Sequence, residues 1–355
     1  MYGLKPVPFK LTRHLLFGVC TGKRRNMDRR HFLAAAAGAT FATADVFGKT
    51  LGGNRVGGEN HSLAGANGAA SADAVLKPMA VGLMIPVGDD REGVISRVKN
   101  LGMTNCFLQL DHYVGKFTPA LAADFRGLLD KYEVTATSAE VVGPGKLVWD
   151  FVDGPSTIGL VPRESRAARL DALKQTSDFA KQLGIRHVQT HCGFIPENPK
   201  DPLYEETVLA IREIAQHCAG NGQEFLMETG QETPTTMFRA IKDVNLPNLG
   251  VGLDTANLIL YGKANPSDAL ETIGPYVRSI HAKDGKWPTD PMRLGEEVLI
   301  GSGLVDFEQV FTKLHKLGYT GAVTIERETS GPQQIEDVRA EKVYLERIIS
   351  QIQRA

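Results

Sequence analysis

From about residue 79 the chain alternates between short apolar runs and longer stretches whose apolar residues recur every three or four positions. The runs are "MAVGLMI" (79–85), "TNCFLQL" (104–110), "EVTATSAEVV" (133–142), "RHVQTHC" (186–192), "EFLMET" (224–229), "LGVGLDT" (249–255), "VRSIHAKD" (277–284) and "GAVTIERE" (321–328). Between them, segments such as 164–183, 204–219 and 306–317 read as amphipathic helices. "LDALKQTSDFAKQLG" (170–184) keeps the helical spacing and stops on Gly184. Strand and helix alternate eight times, which predicts the α/β class and a single-domain (β/α)8 TIM barrel over residues 78–352. The rival is an open doubly wound sheet that holds a dinucleotide. It would need a GxGxxG after the first strand, and none follows it.

The chain ahead of the barrel follows another logic. "NMDRRHFLAAAAGATFATAD" pairs Arg29 with Arg30, continues into an apolar Ala-rich stretch and closes on the small-x-small triplet Ala42-Thr43-Ala44. A basic region, an apolar region and a small-residue cleavage site form the secretory pattern, and RR-x-F-L resembles a twin-arginine export signal. Residues 1–44 are therefore expected to be an export signal, with Met27 a candidate start that would leave 1–26 outside the protein. The expected destination is periplasmic or otherwise extracytoplasmic. Residues 45–77 are rich in Gly, Ala, Ser and Asn and read as a flexible linker.

Charge narrows the partners. The whole chain carries a formal net charge of −1, but residues 1–44 hold eight Lys/Arg and one Asp/Glu, so the remainder has 32 basic and 40 acidic residues, net −8. That balance suits no phosphate backbone, so no nucleic-acid partner is expected. No run of 18 apolar residues is present, so no membrane partner is expected once the signal is removed. The four cysteines have no CxxC spacing, which argues against a disulfide framework and a cysteine zinc site.

In such a barrel the chemistry sits at the C-terminal ends of the strands. Reading those ends gives Gln109, Glu140, His191, Glu228, Asp254, His281, and Glu326 with Glu328. The last four runs supply Glu228, Asp254, His281 and Glu326, separated by 26, 27 and 45 residues. One βα unit of a barrel of ~250 residues averages about 31. These groups therefore recur once per stave, and the long last interval is taken up by the loop "GKWPTDPMRLGEEVLIGSGLVDF". Three carboxylates and an imidazole converging on one point repel one another unless a cation sits among them. Oxygen-dominated ligation with one nitrogen suits a divalent ion, Mn²⁺ first, with Mg²⁺, Co²⁺ or Zn²⁺ as alternatives. The competing reading, four separate caps or salt bridges at strand ends, fits one such residue well and four on consecutive strands poorly.

"METG", "GLDTANL", "IHAKDG", "GSGLVDF" and "TIERE", in this order and spacing, resemble the xylose isomerase-like sugar isomerase/epimerase superfamily. This metal-dependent barrel family includes ketose 3-epimerases, hydroxypyruvate isomerase, inosose isomerases and dehydratases, and the more distant endonuclease IV group. The resemblance covers roughly residues 79–349. It implies that Glu228, Asp254, His281 and Glu326 bind the metal, and that Glu228 and Glu326 also form a general acid/base pair. The implied reaction runs through an enediolate: one Glu removes a proton beside a carbonyl, and the other returns one to the opposite face or the next carbon. Epimerisation and isomerisation follow from that choice. Expulsion of a hydroxyl or an aglycone gives the lyase, dehydratase or hydrolase alternative on keto-sugars or 3-keto-glycosides. An endonuclease IV-like phosphodiesterase and a non-catalytic sugar-binding protein are the remaining alternatives. The first lacks enough strand-end histidines and a basic surface; the second should have lost at least one ligand.

The chain departs from the ketose 3-epimerase pattern at two places. Asn257 stands where those enzymes carry a His, and "HAKDGKWP" has no Arg at the matching position, which counts against a free ketose 3-epimerase. Expected contacts to a small carbohydrate substrate are His191, Asn257, Lys283, Asp284 and Glu140, with Trp287 and Phe194 as an apolar wall. His191 has the competing role of a satisfied rim histidine, Lys283 and Asp284 that of shaping the strand end, and the aromatics that of core packing. Cys192 beside His191 does not form a nucleophile–base pair, because adjacent strand residues face opposite sides. Barrels of this family are often dimers or tetramers, so the resemblance leaves a homo-oligomer open here without fixing the number of subunits.

Overall fold

The computed structural model describes residues 76–354; the expected signal and nearly all of the expected linker lie outside them. Eight parallel strands close into a barrel in the order β1-β10-β7-β6-β5-β4-β3-β2, with helices between them. The staves are β1 (Val81–Pro86), β2 (Asn105–Gln109), β3 (Thr135–Glu140), β4 (His187–His191), β5 (Glu224–Glu228), β6 (Leu249–Asp254), β7 (Val277–Ala282) and β10 (Val323–Ile325). An antiparallel pair, β8 (Asp284–Lys286) with β9 (Glu296–Val298), lies outside the barrel. The eight apolar runs are thus the eight staves. The seventh breaks at Lys283, and its last residue, Asp284, joins the outer pair. The eighth is short, so Glu326 lies one residue beyond β10, and Glu328 stands further out on the following loop.

Period-two alternation separates two environments. Residues such as Cys106, Leu108, Val188, Met227, Val251, Leu253, Ile280 and Ile325 are buried in the apolar core between staves and helices. Each fully buried Leu, Ile, Val or Met contributes about 1.5–3 kcal/mol. That shell gives the molecule the stability to carry a polar interior. The alternate positions point into the barrel: Phe107 packs edge-on against His281, and Gln189 reaches Glu140 and Glu228. The helices begin where local chemistry starts them. Thr233 caps Pro234–Val244 with its side chain, accepting from Thr236 N, and Pro234 occupies the first turn. In the same way Asp201 caps Pro202–Gly220 and Asp306 caps Phe307–Lys316.

Candidate active site

Glu228 ends β5, Asp254 ends β6, His281 lies one residue before the end of β7, and Glu326 follows β10. Parallel pairing sets these positions level. His191 pairs with Glu228, Asp254 with His281, and Thr324 with His281. One ligand atom from each of Glu228, Asp254, His281 and Glu326 lies within 4.8 Å of all the others. His281 Nδ1 is 3.3 Å from Glu228 Oε1 and 3.0 Å from Glu326 Oε2. The backbone N–H of Asn257 donates to Asp254 Oδ1 at 2.7 Å, while buried Oδ2 has no hydrogen-bond partner among the described residues.

The electrostatics show what this cluster lacks. Burial, reinforced by Glu326 and Glu228 and opposed by Lys283, pushes Asp254 well above the usual carboxylate range. Burial also raises Glu326, but Lys283 and His281 outweigh it and hold the carboxyl well below that range. Glu228 is likewise raised by burial, yet His191 and His281 bring it down to about 2. His281 goes the other way: burial disfavours its cation, and Glu228 and Glu326 overcome this and raise it well above an ordinary histidine. The Lys283 ammonium and a His281 that favours its cation thus offset the Glu228 and Glu326 carboxylates, while Asp254 is pushed toward its neutral form. The uncovered Asp254 oxygen, the donor set and the shared centre all fit a divalent cation, which would take over that role.

A second triad shares one member with the first. Ligand atoms of Glu140, His191 and Glu228 also lie within 4.8 Å of one another. Burial and neighbouring Glu228 push Glu140 well above the normal range. Gln189 lies beneath both groups and donates from Nε2 to Glu228 Oε2 at 3.1 Å and to Glu140 Oε2 at 3.3 Å. Residue 252 must be glycine for this arrangement: a Cβ there would stand 2.0 Å from Gln189 Oε1. Gln189 escaped the strand-end reading because it sits one layer lower. Its position two residues before His191 placed it on the same face all along.

The structure sorts the other expected contacts. His191 and Asn257 face the site: His191 Nε2 is 3.4 Å from Glu228, and Asn257 Nδ2 donates to Glu228 at 3.4 Å. Lys283 is buried and reaches Glu328 at 2.6 Å, Glu326 at 3.4 Å and Asp254 at 4.0 Å. Asp284 is corrected from a substrate contact to a loop anchor. Its carboxylate accepts from the backbone N–H groups of Gly285, Gly301, Gly303 and Val305, at 2.8 to 3.0 Å. A strand residue adjacent to Lys283 points away from the mouth, so the two could not share one role. Trp287 is corrected as well: it lies beside Gly262, outside the cavity, because the β8–β9 pair carries it away. Phe194 packs on Tyr261 instead of lining the mouth. The aromatics that do line it are Tyr261 and Trp149, whose ring stands 4.9 Å from His191. Trp149 sits on an irregular loop, where no periodic signal marks it. Cys192 faces away from the site, and burial raises its thiol well above the usual range.

Above the cluster opens a cavity of about 490 Å³. Glu326, Glu328, Lys283, Glu140, His191, Asn257, Gln109 and Asp111 make its polar part, and Trp149, Tyr261 and several aliphatic side chains its apolar part. A family model described as "Xylose isomerase-like TIM barrel" matches residues 95–348. Among solved structures, a xylose isomerase domain protein from Planctomyces limnophilus is 31% identical with a TM-score of 0.72, over 79% of this chain and 99% of that one. A xylose isomerase-like TIM barrel protein from Mycobacterium smegmatis in complex with magnesium is 20% identical, TM-score 0.59, over 78% and 97%. A D-psicose 3-epimerase in the presence of D-fructose is 18% identical, TM-score 0.58, over 76% and 99%. These last two share the fold. The chain spans about half the length of the curated relatives it matches.

Proposed function

The chain belongs to the xylose isomerase-like TIM barrel family, and on that premise we propose that it is a divalent-metal-dependent sugar isomerase or epimerase. The observation that carries this reading is the convergence of Glu228, Asp254, His281 and Glu326 on one centre beneath an open cavity. These four residues would hold the ion. When bound, it would polarise a substrate carbonyl and compensate the charge of an enediolate. The epimerase neighbour and the magnesium complex support the substrate class and the cofactor class.

The chain's own residues then divide the work. Glu326, kept ionised by Lys283 and His281, is placed to take a proton from the carbon beside the carbonyl. Glu228, on β5, is its partner; ionised in the free site, it first takes a proton from a substrate hydroxyl or from solvent and then delivers it to the opposite face or the adjacent carbon. Lys283 donates toward substrate oxygens at the mouth, and His191 and Asn257 fix hydroxyls from β4 and β6. Gln189 holds Glu140 and Glu228 apart by bonding to both. We also propose that the protein is exported on its twin-arginine segment; changing both Arg29 and Arg30 to Lys should trap it in the cytoplasm.

The decisive experiment is proton exchange in D₂O with a panel of keto-sugars and Mn²⁺, Co²⁺ or Mg²⁺. At least one sugar should gain deuterium on carbon, and Glu326→Gln should slow that exchange about 10²–10⁴-fold. Exchange that is absent with every sugar and metal, or unaffected by Glu326→Gln, sinks the reading.

A further inference from the structure

Glu326 is held differently from its three companions. Glu228, Asp254 and His281 lie within staves of five or six residues. β10 is three residues long and ends at Ile325, so Glu326 stands past the end of its own strand. Its N–H still donates to the Ala282 carbonyl at 3.1 Å, one step beyond the ladder. A carboxylate that must meet His281 at 3.0 Å needs firmer support than that step.

The support comes from the next residue. Glu326 and Glu328 turn inward and reach Lys283 at 3.4 and 2.6 Å. Arg327, between them, turns outward and is clasped by carboxylates of two other elements. Its Nη1 donates to Glu297 Oε1 of β9 at 2.5 Å. Its Nε and Nη2 lie 3.0 and 2.9 Å from Asp337 Oδ2 on the C-terminal helix (Pro332–Ile352), and Glu341, one turn along, lies 3.8 Å from Nε. The backbone is fastened as well. Glu328 N–H donates to the same Glu297 carboxylate at 3.3 Å, and the Gln334 amide donates to the Arg327 carbonyl at 2.8 Å.

Burial separates this clasp from an ordinary surface ion pair. The side chains of Arg327, Glu297 and Asp337 are 10%, 13% and 11% exposed, and that of Glu341 is fully buried. A planar guanidinium can bridge two carboxylates in one fixed geometry, which an ammonium cannot do. Arg169 makes a useful contrast. It is equally withdrawn, but it donates to the backbone carbonyls of Pro144, Lys146, Thr157 and Gly159 and so holds the loop that carries Trp149. Each arginine serves one side of the mouth.

We propose that Arg327 is a positioning residue for Glu326. It fixes residues 326–328 from outside the barrel, so that the Glu326 carboxylate reaches the shared centre although its strand has already ended. Glu297 lies three residues beyond Leu294, which lines the cavity, so the clasp also joins that wall to the same carboxylate. The inference rests on the reading of Glu326 as a metal ligand and base, and adds what aims it.

The test is calorimetric titration of Mn²⁺ into the full chain. Arg327→Lys keeps the charge, so the fold is retained while the fork is lost. It should weaken Mn²⁺ binding about tenfold. Glu297→Gln opens the same clasp without touching Arg327 and should reproduce part of that loss. In a Glu326→Gln background, Arg327→Lys should add less than about threefold, because its path runs through Glu326. Arg169→Lys loosens the other buried arginine and should leave the affinity unchanged. Wild-type affinity in both clasp variants, full additivity with Glu326→Gln, or an equal loss in Arg169→Lys overturns the proposal. A second arm needs no ion: in the metal-free chain at one pH, the ring-nitrogen signals of His281 should move in Arg327→Lys and stay in place in Arg169→Lys. A wild type that takes up no Mn²⁺ but shows that movement upholds the positioning role and counts against the metal reading. Mn²⁺ uptake that Arg327→Lys does not alter, with His281 unmoved, overturns only the positioning role.

Discussion

His281 Nδ1 lies 3.0 Å from Glu326 Oε2, although the two residues are 45 positions apart in sequence. They meet because β7 and β10 are neighbouring staves in register, with Thr324 opposite His281. The contact favours the imidazolium: Glu228 and Glu326 overcome the effect of burial and raise His281 above its ordinary value.

Metal binding should therefore compete with that proton. His281 and Asp254 are both raised above their ordinary values, so each holds a proton more tightly than usual and gives it up on ligation. Mn²⁺ affinity is expected to fall as the pH drops, by up to about tenfold per unit for each proton displaced. Titration calorimetry in two buffers of different ionisation enthalpy should show net proton release on binding. Affinity independent of pH would contradict this.

Asp254→Asn should remove most of the metal affinity and leave the barrel folded. The native carboxyl is buried, raised, and carries an oxygen with no partner among the described residues, so neutralising it relieves repulsion in the metal-free protein. Saturating Mn²⁺ at about 100 times its Kd should stabilise the wild type by about 2.7 kcal/mol. That corresponds to a rise in Tm of roughly 5 °C, and the variant should show almost none. A variant that melts cooperatively without metal but still takes up stoichiometric Mn²⁺ would refute the assignment.

Asp284→Ala tests the corrected role of that residue. Four backbone N–H groups lose their acceptor, three of them in residues 301–305. An unsatisfied buried donor costs about 1–3 kcal/mol, and these are coupled, so a loss of about 3–5 kcal/mol is expected. Gly303 fits the same design, since a Cβ there would stand 2.1 Å from Asp284 Oδ1. Urea unfolding measures the loss. Stability within 1 kcal/mol of wild type would return Asp284 to the list of substrate contacts.

Glu232 makes a signed pH prediction. It is buried with both oxygens unpartnered among the described residues, and burial raises it to about 8 despite its own backbone N–H and Lys263. The folded state keeps this proton more tightly than the unfolded chain, which ionises near 4.5. Its contribution is fully present below the unfolded value and is lost as pH rises through about 8. Glu232→Gln should therefore gain stability over wild type between pH 5 and pH 8.5, by several kcal/mol and at most about 5. Denaturation midpoints at the two pH values would show it, and a constant difference would refute it.

Much of this is legible in the sequence. The apolar runs gave the staves because strands buried on both faces must be apolar where they meet the helices. The four ligands were legible because a barrel puts the end of every stave on one rim, so residues one βα unit apart become neighbours. Trp149, Arg169 and Gln189 were not. Trp149 lies on a loop without periodicity, Arg169 acts only through backbone carbonyls, and Gln189 sits a layer below the positions that strand ends single out.

Asp284 and Trp287 show the boundary most clearly. They share the stretch "HAKDGKWP" with His281 and Lys283, and sequence proximity suggested one shared site. The sequence by itself determined the order of elements and the type of group each strand delivers, because hydrophobic period and residue chemistry are local properties. Only the tertiary structure decided which way each side chain faces once the strand breaks at Lys283. Beyond that break direction is set by pairing with β9 and by the backbone donors of residues 301–305, partners that lie elsewhere in the chain.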